Sequence, residues 1–342
     1  VRVTLQQDFK TAITGVIQSQ EVTWVDKFRP VRTQNIDSVG GIQSDSPDLT
    51  GATIWNKGLI GTGQIVAVAD SGLDRNMSFF SRYNSSTPQY TDAEFTAPGE
   101  LGQLFPDRKV VGYFVQRFAT PYDDDESCGE EGTPSDFHGT HVAGTVAGDS
   151  GTPASSTSAN YDLGDGMAPH AQILFQDLGN TETGCLSGDG GYDMFLQAAK
   201  AGAMISSNSY GIDAEPDPAL DGYYFNDQQV DAASYDIEDI LIVFAAGNDG
   251  NDGIGHPGVA KNALTVGAYN HGQSTQVAAF SSRGPTYDGR QKPDIMAPGV
   301  GIVSAAGDLN NDNPPAQVSS AVKPLSGTSM ATPTVSGGAP LM

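Results

Sequence analysis

An aspartate, a histidine and a serine stand far apart in this chain, each inside a short segment suited to hydrolytic chemistry. Asp70 ends the apolar run of VAVADSG (66–72), and the Ser71 and Gly72 that follow let its carboxylate leave the end of a strand. His138 opens the small-residue segment HGTHVAG (138–144). Ser329 lies in SGTSMATP (326–333), where Gly327 would permit a tight turn and the small residues after it would start a helix. Between histidine and serine, AAGND (245–249) offers the side-chain amide of Asn248. A serine hydroxyl is a weak nucleophile at its own pKa; it needs an adjacent base, and that base needs an orienting group. The oxyanion that develops needs preorganised donors, which a side-chain amide and a helix N-terminus both supply.

Each residue alone has a plainer explanation. Serines cap helices, and aspartate and asparagine form turns, as in the loop NDGNDG. His138 and His141, three apart, could share a helix face as metal ligands, but the glutamate of HExxH is absent and no third ligand is evident. His141 reads instead as a structural histidine near the cleft. The plain explanations do not cover all four segments in the order Asp, His, Asn, Ser.

The elements that must hold these residues read as α/β. QIVAVAD, AQILFQDL, ILIVFAAG and NALTVGAY are near-continuous apolar runs of strand length, the pattern of parallel strands buried on both faces. Helical stretches alternate with them: THVAGTVAG, GYDMFLQAAKAGA and a segment around QQVDAASYDIED. Strand alternating with helix implies a three-layer αβα fold with a mostly parallel, doubly wound sheet, whose ligands bind beyond the strand C-terminal ends. Asp70, Asn208 and Asn248 all fall at that end of an apolar run. Gly139, Ala143, Gly144, Ala147 and Gly148 leave one face of the histidine helix nearly bare, which allows close packing on the sheet.

Composition narrows the partners. Lys plus Arg is 17 and Asp plus Glu 41, so the formal charge is 17 − 41 = −24. That balance repels phosphate backbones and anionic lipid, which argues against nucleic acid and membrane as partners. No apolar run reaches the length of a membrane span. The opening VRVTLQQDFK shows neither a methionine nor an apolar signal region and reads as a segment cut from a longer precursor. The two cysteines, Cys128 and Cys185, lie in Gly-rich loops near the expected cleft; one bridge and two free thiols both stand as alternatives.

The order of the triad separates it from α/β-hydrolases (Ser, Asp/Glu, His) and from chymotrypsin-like enzymes (His, Asp, Ser). With SSRGPT (281–286) and KPDIMAPG (292–299), residues 50–340 resemble the subtilisin-like serine peptidases, or subtilases, in wording nearest the high-molecular-mass and alkaline bacterial subgroup. The resemblance implies Asp70 as orienting group, His138 as general base and acid, Ser329 as nucleophile, and Asn248 with the Ser329 N–H as oxyanion hole. It implies that Ser209, Tyr210 and Gly211 pair with the substrate as an edge strand, with Gly184 to Gly188 as the opposite rail. Ala245, Ala246 and Gly247 would line the primary pocket, whose small walls suit a large apolar side chain. The function implied is a secreted, broad-specificity serine endopeptidase acting through an acyl-enzyme; a silent peptide-binding module and an esterase are the alternatives.

The same resemblance gives the organisation. Family members begin their mature chains with a segment like Asn35–Val39, so residues 1–34 are expected to be the tail of a propeptide and 35–342 the catalytic domain. The expected partners are polypeptide substrates and the chain's own propeptide, acting on a monomer. No cofactor is expected for catalysis; structural calcium could use the acidic runs Asp123–Glu126 or Asp213–Asp231. The chain stops thirteen residues past Ser329, and Gly337, Gly338 and Pro340 are poor helix residues, so a truncated domain with a short, incompletely packed nucleophile helix is expected.

Overall fold

The computed structural model describes residues 38–39, 42–43, 53–81, 89–121, 137–149, 165–180, 185–186, 191–214, 222–270, 276–307 and 320–342. All belong to one compact unit, Thr33–Met342. The expected propeptide tail, Cys128, Gly184, Gly188 and the acidic run 123–126 lie outside the described residues.

Eight strands form one sheet, all in parallel pairs. In chain order they are β1 (Ile65–Asp70), β2 (Glu94–Phe95), β3 (Val110–Val115), β4 (Gln172–Asp177), β7 (Ile205–Asn208), β8 (Leu241–Ala245), β9 (Leu264–Tyr269) and β10 (Ile295–Pro298). Their spatial order is β10-β9-β8-β7-β1-β4-β3-β2. The remaining strands form antiparallel ribbons: β5 (Gly179–Asn180) with β6 (Cys185–Leu186), and β11 (Ile302–Ala305) with β12 (Val322–Leu325). After β1 the chain crosses to the sheet edge at β2 and returns inward through β3 and β4, then passes to the other side of β1 and builds outward from β7 to β10, so the switch falls at β1, the strand that ends in Asp70.

Alternation along β1 divides the core. Val66 and Val68 face one layer, with Val142, Ala143 and Val146 of α1 (His138–Ala147) and Met330 and Ala331 of α4 (Thr328–Gly338). Ala67 and Ala69 face the other, with Phe195 and Ala198 of α2 (Tyr192–Lys200) and Val230 and Ala233 of α3 (Phe225–Asp236). Helices on both faces of a parallel sheet are the three-layer αβα arrangement expected from the sequence.

The bare face of α1 is used as expected. A Cβ built on Gly139 would lie 2.2 Å from the Gly72 carbonyl oxygen, and one on Gly144 would lie 2.5 Å from Ser304 Oγ. The same device corrects the expectation for the serine helix. α4 runs unbroken through Gly337 and Gly338, and its buried positions include Met330, Ala331, Pro333 and Gly337. A Cβ on Gly337 would come within 2.4 Å of Val146 O and 2.7 Å of Met167 Cβ. That glycine serves close helix packing, which outweighs its poor propensity. The buried hydroxyls of Thr332, Thr334 and Ser336 each donate to the carbonyl four residues back, at 2.9–3.0 Å.

Two further departures are local. Gly327 is extended (φ 163°), and a Cβ there would meet nothing closer than 3.6 Å, so it makes no tight turn. Asn208 does not follow its strand but ends β7, fully buried, with Nδ2 donating to Ser206 O and Val243 O at 3.1 Å each. It is a structural residue.

Candidate active site

Asp70, at the C-terminal end of β1, is buried, and its Oδ1 lies 2.7 Å from His138 Nδ1. The same oxygen accepts the Ser71 N–H at 2.8 Å. His138 is the first residue of α1, and its side chain is 26 % exposed, so the ring spans from the buried carboxylate to the cleft. Ser71 Oγ accepts the Gly139 N–H at 3.0 Å, tying strand end to helix start. The turn beyond is also fixed: the buried Tyr113 hydroxyl accepts Leu73 N–H at 3.0 Å and donates to Asp177 Oδ2 at 2.6 Å. Tyr113 and Asp177 were not found in the sequence, because they look like ordinary strand residues until β1, β3 and β4 are laid side by side.

His141, one turn along α1, is fully buried, with Nε2 placed 2.9 Å from Ile302 O and 3.1 Å from Lys323 O. Two carbonyls require that nitrogen to carry the proton. Burial, then the neighbouring His138, pushes the pKa down to about 3, so the ring is neutral. It joins α1 to the β11–β12 ribbon, which is the structural part expected of it.

Ser329 is the second residue of α4 and half-buried. Its Oγ donates to Ser209 O at 2.9 Å, while Ser209 Oγ donates to Ser329 O, also at 2.9 Å. This reciprocal pair docks the serine turn on the segment after β7. Tyr210, next in that segment, packs edge-on against Phe244 with centroids 5.6 Å apart. Burial, and secondarily Asp70, raise its hydroxyl pKa, so it stays protonated. A Cβ on Gly211 would lie 2.8 Å from His256 O, so only glycine fits there.

Asn248 follows β8 and is exposed, yet its amide is not free to turn. Oδ1 accepts the Thr328 N–H at 2.9 Å and the Thr328 hydroxyl at 3.1 Å. An N–H can be received only by the oxygen, so Nδ2 points away from Thr328. Thr328 Oγ1 also lies 3.1 Å from Gly247 O and accepts the Gly247 N–H at 3.2 Å. Thr328 therefore joins the amide to the serine helix, although nothing in its type marked it out beside Ser329. Gly247 sits at φ 101°, which a side chain would strain. Next to Asn248, Asp249 has its pKa raised by burial and by Asp213.

Of the remaining expected residues, Ala245 ends β8 and Ala246 follows it, both buried. Cys185 is disulfide-bonded. Among the described residues, no group of three or more His, Cys, Asp or Glu is arranged to hold a metal ion. No helix among them is long and apolar enough to cross a membrane.

The chain is similar to several known proteases. Serine protease AprX of Bacillus subtilis (strain 168) is 32 % identical over 257 residues, 68 % of this chain and 52 % of that protein. Pyrolysin of Pyrococcus furiosus is 35 % identical over 254 residues, 58 % of this chain and 17 % of its own length. The chain thus spans about half or less of these curated relatives. Among solved structures, a mutant of the protease domain of PatA matches at 26 % identity and TM-score 0.50, covering 81 % of this chain and 78 % of that one. The prenylagaramide maturation protease PagA shares the fold at TM-score 0.52 and 24 % identity, covering 85 % and 78 % of the two chains. The sequence profile of the Subtilase family matches residues 61–342, most of the chain. With that match and this arrangement of strand ends and helix starts, the chain belongs to the subtilase family.

Proposed function

We propose that this chain is a serine endopeptidase that hydrolyses peptide bonds through an acyl-enzyme, with Asp70, His138 and Ser329 as its triad. The observation that carries this reading is the 2.7 Å pairing of the buried Asp70 carboxylate with His138 Nδ1 at the end of β1. It leaves Nε2 as the base toward the cleft. Ser329 Oγ leaves the Ser209 carbonyl, gives its proton to His138 Nε2 and attacks the substrate carbonyl carbon. The oxyanion is received by Asn248 Nδ2 and the Ser329 N–H at the start of α4. His138 then returns the proton to the departing amine, and water repeats the sequence on the acyl-enzyme. Asp70 stays ionised throughout and stabilises the imidazolium.

In the same reading the peptide pairs with Ser209, Tyr210 and Gly211, and Ala245, Ala246 and Gly247 line a primary pocket for large apolar side chains, with otherwise broad specificity. Residues 1–34 are a propeptide tail removed near Asn35, and the enzyme is secreted. One observation favours a second reading, a silent peptide-binding module: the Ser329 hydroxyl donates to Ser209 O. A fluorophosphonate probe separates the two. The peptidase labels, loses labelling in Ser329→Ala and digests casein; the silent module never labels. Labelling without casein digestion points to an esterase using the same triad.

A further inference from the structure

The segment Gly255–His256, which is bonded to both Ile212 and Ala246, is held by a buried pair outside the triad. His256 and Asp227 are both fully buried, with His256 Nδ1 2.7 Å from Asp227 Oδ2. Asp227 lies in the first turn of α3, and the same Oδ2 accepts the Tyr224 N–H at the helix start, at 2.6 Å. One carboxylate oxygen therefore fixes both the N-terminus of α3 and the imidazole. The Tyr224 ring lies on the imidazole, centroids 3.9 Å apart and planes 21° apart, so the ring is held in plane as well as in direction.

The backbone of His256 and its neighbour bridges the Ser209–Ile212 and Ala245–Gly247 segments. Its N–H donates to Ile212 O, and its carbonyl accepts the Ile212 N–H, both at 2.8 Å. Its neighbour Gly255 donates to Ala246 O at 2.9 Å. A Cβ on Gly255 would lie 2.9 Å from Ile212 O and 3.6 Å from Ala246 O, so this residue sits directly between them. The closing segment is thus bonded to the Ser209–Ile212 side at one residue and to the Ala245–Gly247 side at the next. Its position is set from behind by the imidazole. Backbone alone would hold it at two points on one line; the Asp227 bond and the Tyr224 stack remove the remaining rotation.

We propose that His256, fixed by Asp227 and Tyr224, is a positioning residue that sets the back wall of the primary pocket and so the size of side chain accepted before the scissile bond. The inference rests on the peptidase reading given above. It concerns which substrate is chosen, not the transfer of protons. A wall held at three points discriminates by shape; a wall held at two yields to whatever enters.

The test compares the full chain with His256→Leu, His256→Asn and Tyr224→Leu on two peptide p-nitroanilides that differ only in alanine or phenylalanine before the scissile bond. The kcat/KM ratio of phenylalanine to alanine is expected to move about tenfold in His256→Leu, the scale of a pocket that fits less closely. His256→Asn places a donor nitrogen where Nδ1 lies and is expected to restore most of the ratio. Tyr224→Leu keeps the Tyr224 N–H bond to Asp227 and removes the ring that lies on the imidazole, so it answers the question if His256→Leu does not fold. Labelling of Ser329 by a methyl fluorophosphonate, which does not enter the pocket, should proceed at the parent rate in each variant. A labelled protein whose ratio is unchanged in both His256→Leu and Tyr224→Leu overturns this inference alone. A parent chain that is folded but never labels overturns the peptidase reading, and this inference with it.

Discussion

Thr328 holds Asn248: the backbone N–H and the hydroxyl of one both end on the side-chain oxygen of the other, at 2.9 and 3.1 Å. The residue before Ser329 thereby decides which way the amide faces. Thr328→Val removes the hydroxyl but keeps shape and backbone bond. It should lower kcat about fivefold to tenfold with KM little changed, the worth of one hydrogen bond. Thr328→Ser should recover most of the loss. An unchanged kcat in the valine variant would mean that the amide is oriented by something else.

Removal of the amide itself should cost more. Asn248→Ala is expected to lower kcat by about 10²–10³, a scale taken from the oxyanion asparagine of subtilisin, itself a subtilase. Steady-state kinetics on one peptide substrate checks it, and a loss confined to KM would remove Asn248 from the oxyanion hole.

His141 should make stability depend on pH. Its unfolded imidazole titrates near about 6.5, whereas burial holds the folded group near about 3. The unfolded state therefore binds the extra proton between these values. This contribution to stability is complete above about pH 6.5 and is lost as pH falls toward 3, by at most about 1.4 kcal/mol per pH unit. His141→Gln can keep a donor on Ile302 O and Lys323 O without titrating. Urea midpoints at pH 6.5 and pH 4.5 should fall less in the glutamine variant than in the parent; equal falls would mean that His141 is not held neutral.

Gly337→Ala should destabilise the fold although alanine is the better helix residue. The gain in propensity is about 1 kcal/mol, but the new methyl would stand 2.4 Å from Val146 O. Backbone cannot yield that far without moving α1 or α4, and overpacking of this kind typically costs about 1–3 kcal/mol. Urea unfolding gives the sign. Stabilisation would show that the two helices can separate at no cost.

The sequence carried what depends on local pattern. β1, β4, β8 and β9 were legible because strands buried on both faces read as unbroken apolar runs, and α1 because its glycines follow a helical period. β7 was legible only by the run before Asn208, not in its extent: Ser206, Ser207 and Asn208 are polar, and only the surrounding sheet explains their burial. The poor propensity of Gly337 pointed the wrong way, because its role lies in a neighbour 191 residues earlier, Val146. The candidate site divides in the same way. Asp70, His138, Asn248 and Ser329 were marked by type and neighbours, whereas Thr328, Tyr113, Asp177 and the Asp227–His256 pair act only through contacts that folding creates.

In the proposed mechanism Ser329 is a nucleophile raised to reactivity by His138 and Asp70. Its most direct test is covalent labelling of the folded chain by a fluorophosphonate, with the modified residue located by peptide mass spectrometry. One label on Ser329 is expected, absent in Ser329→Ala and strongly slowed in His138→Ala and Asp70→Asn. Labelling elsewhere, or at an undiminished rate without His138, would contradict it.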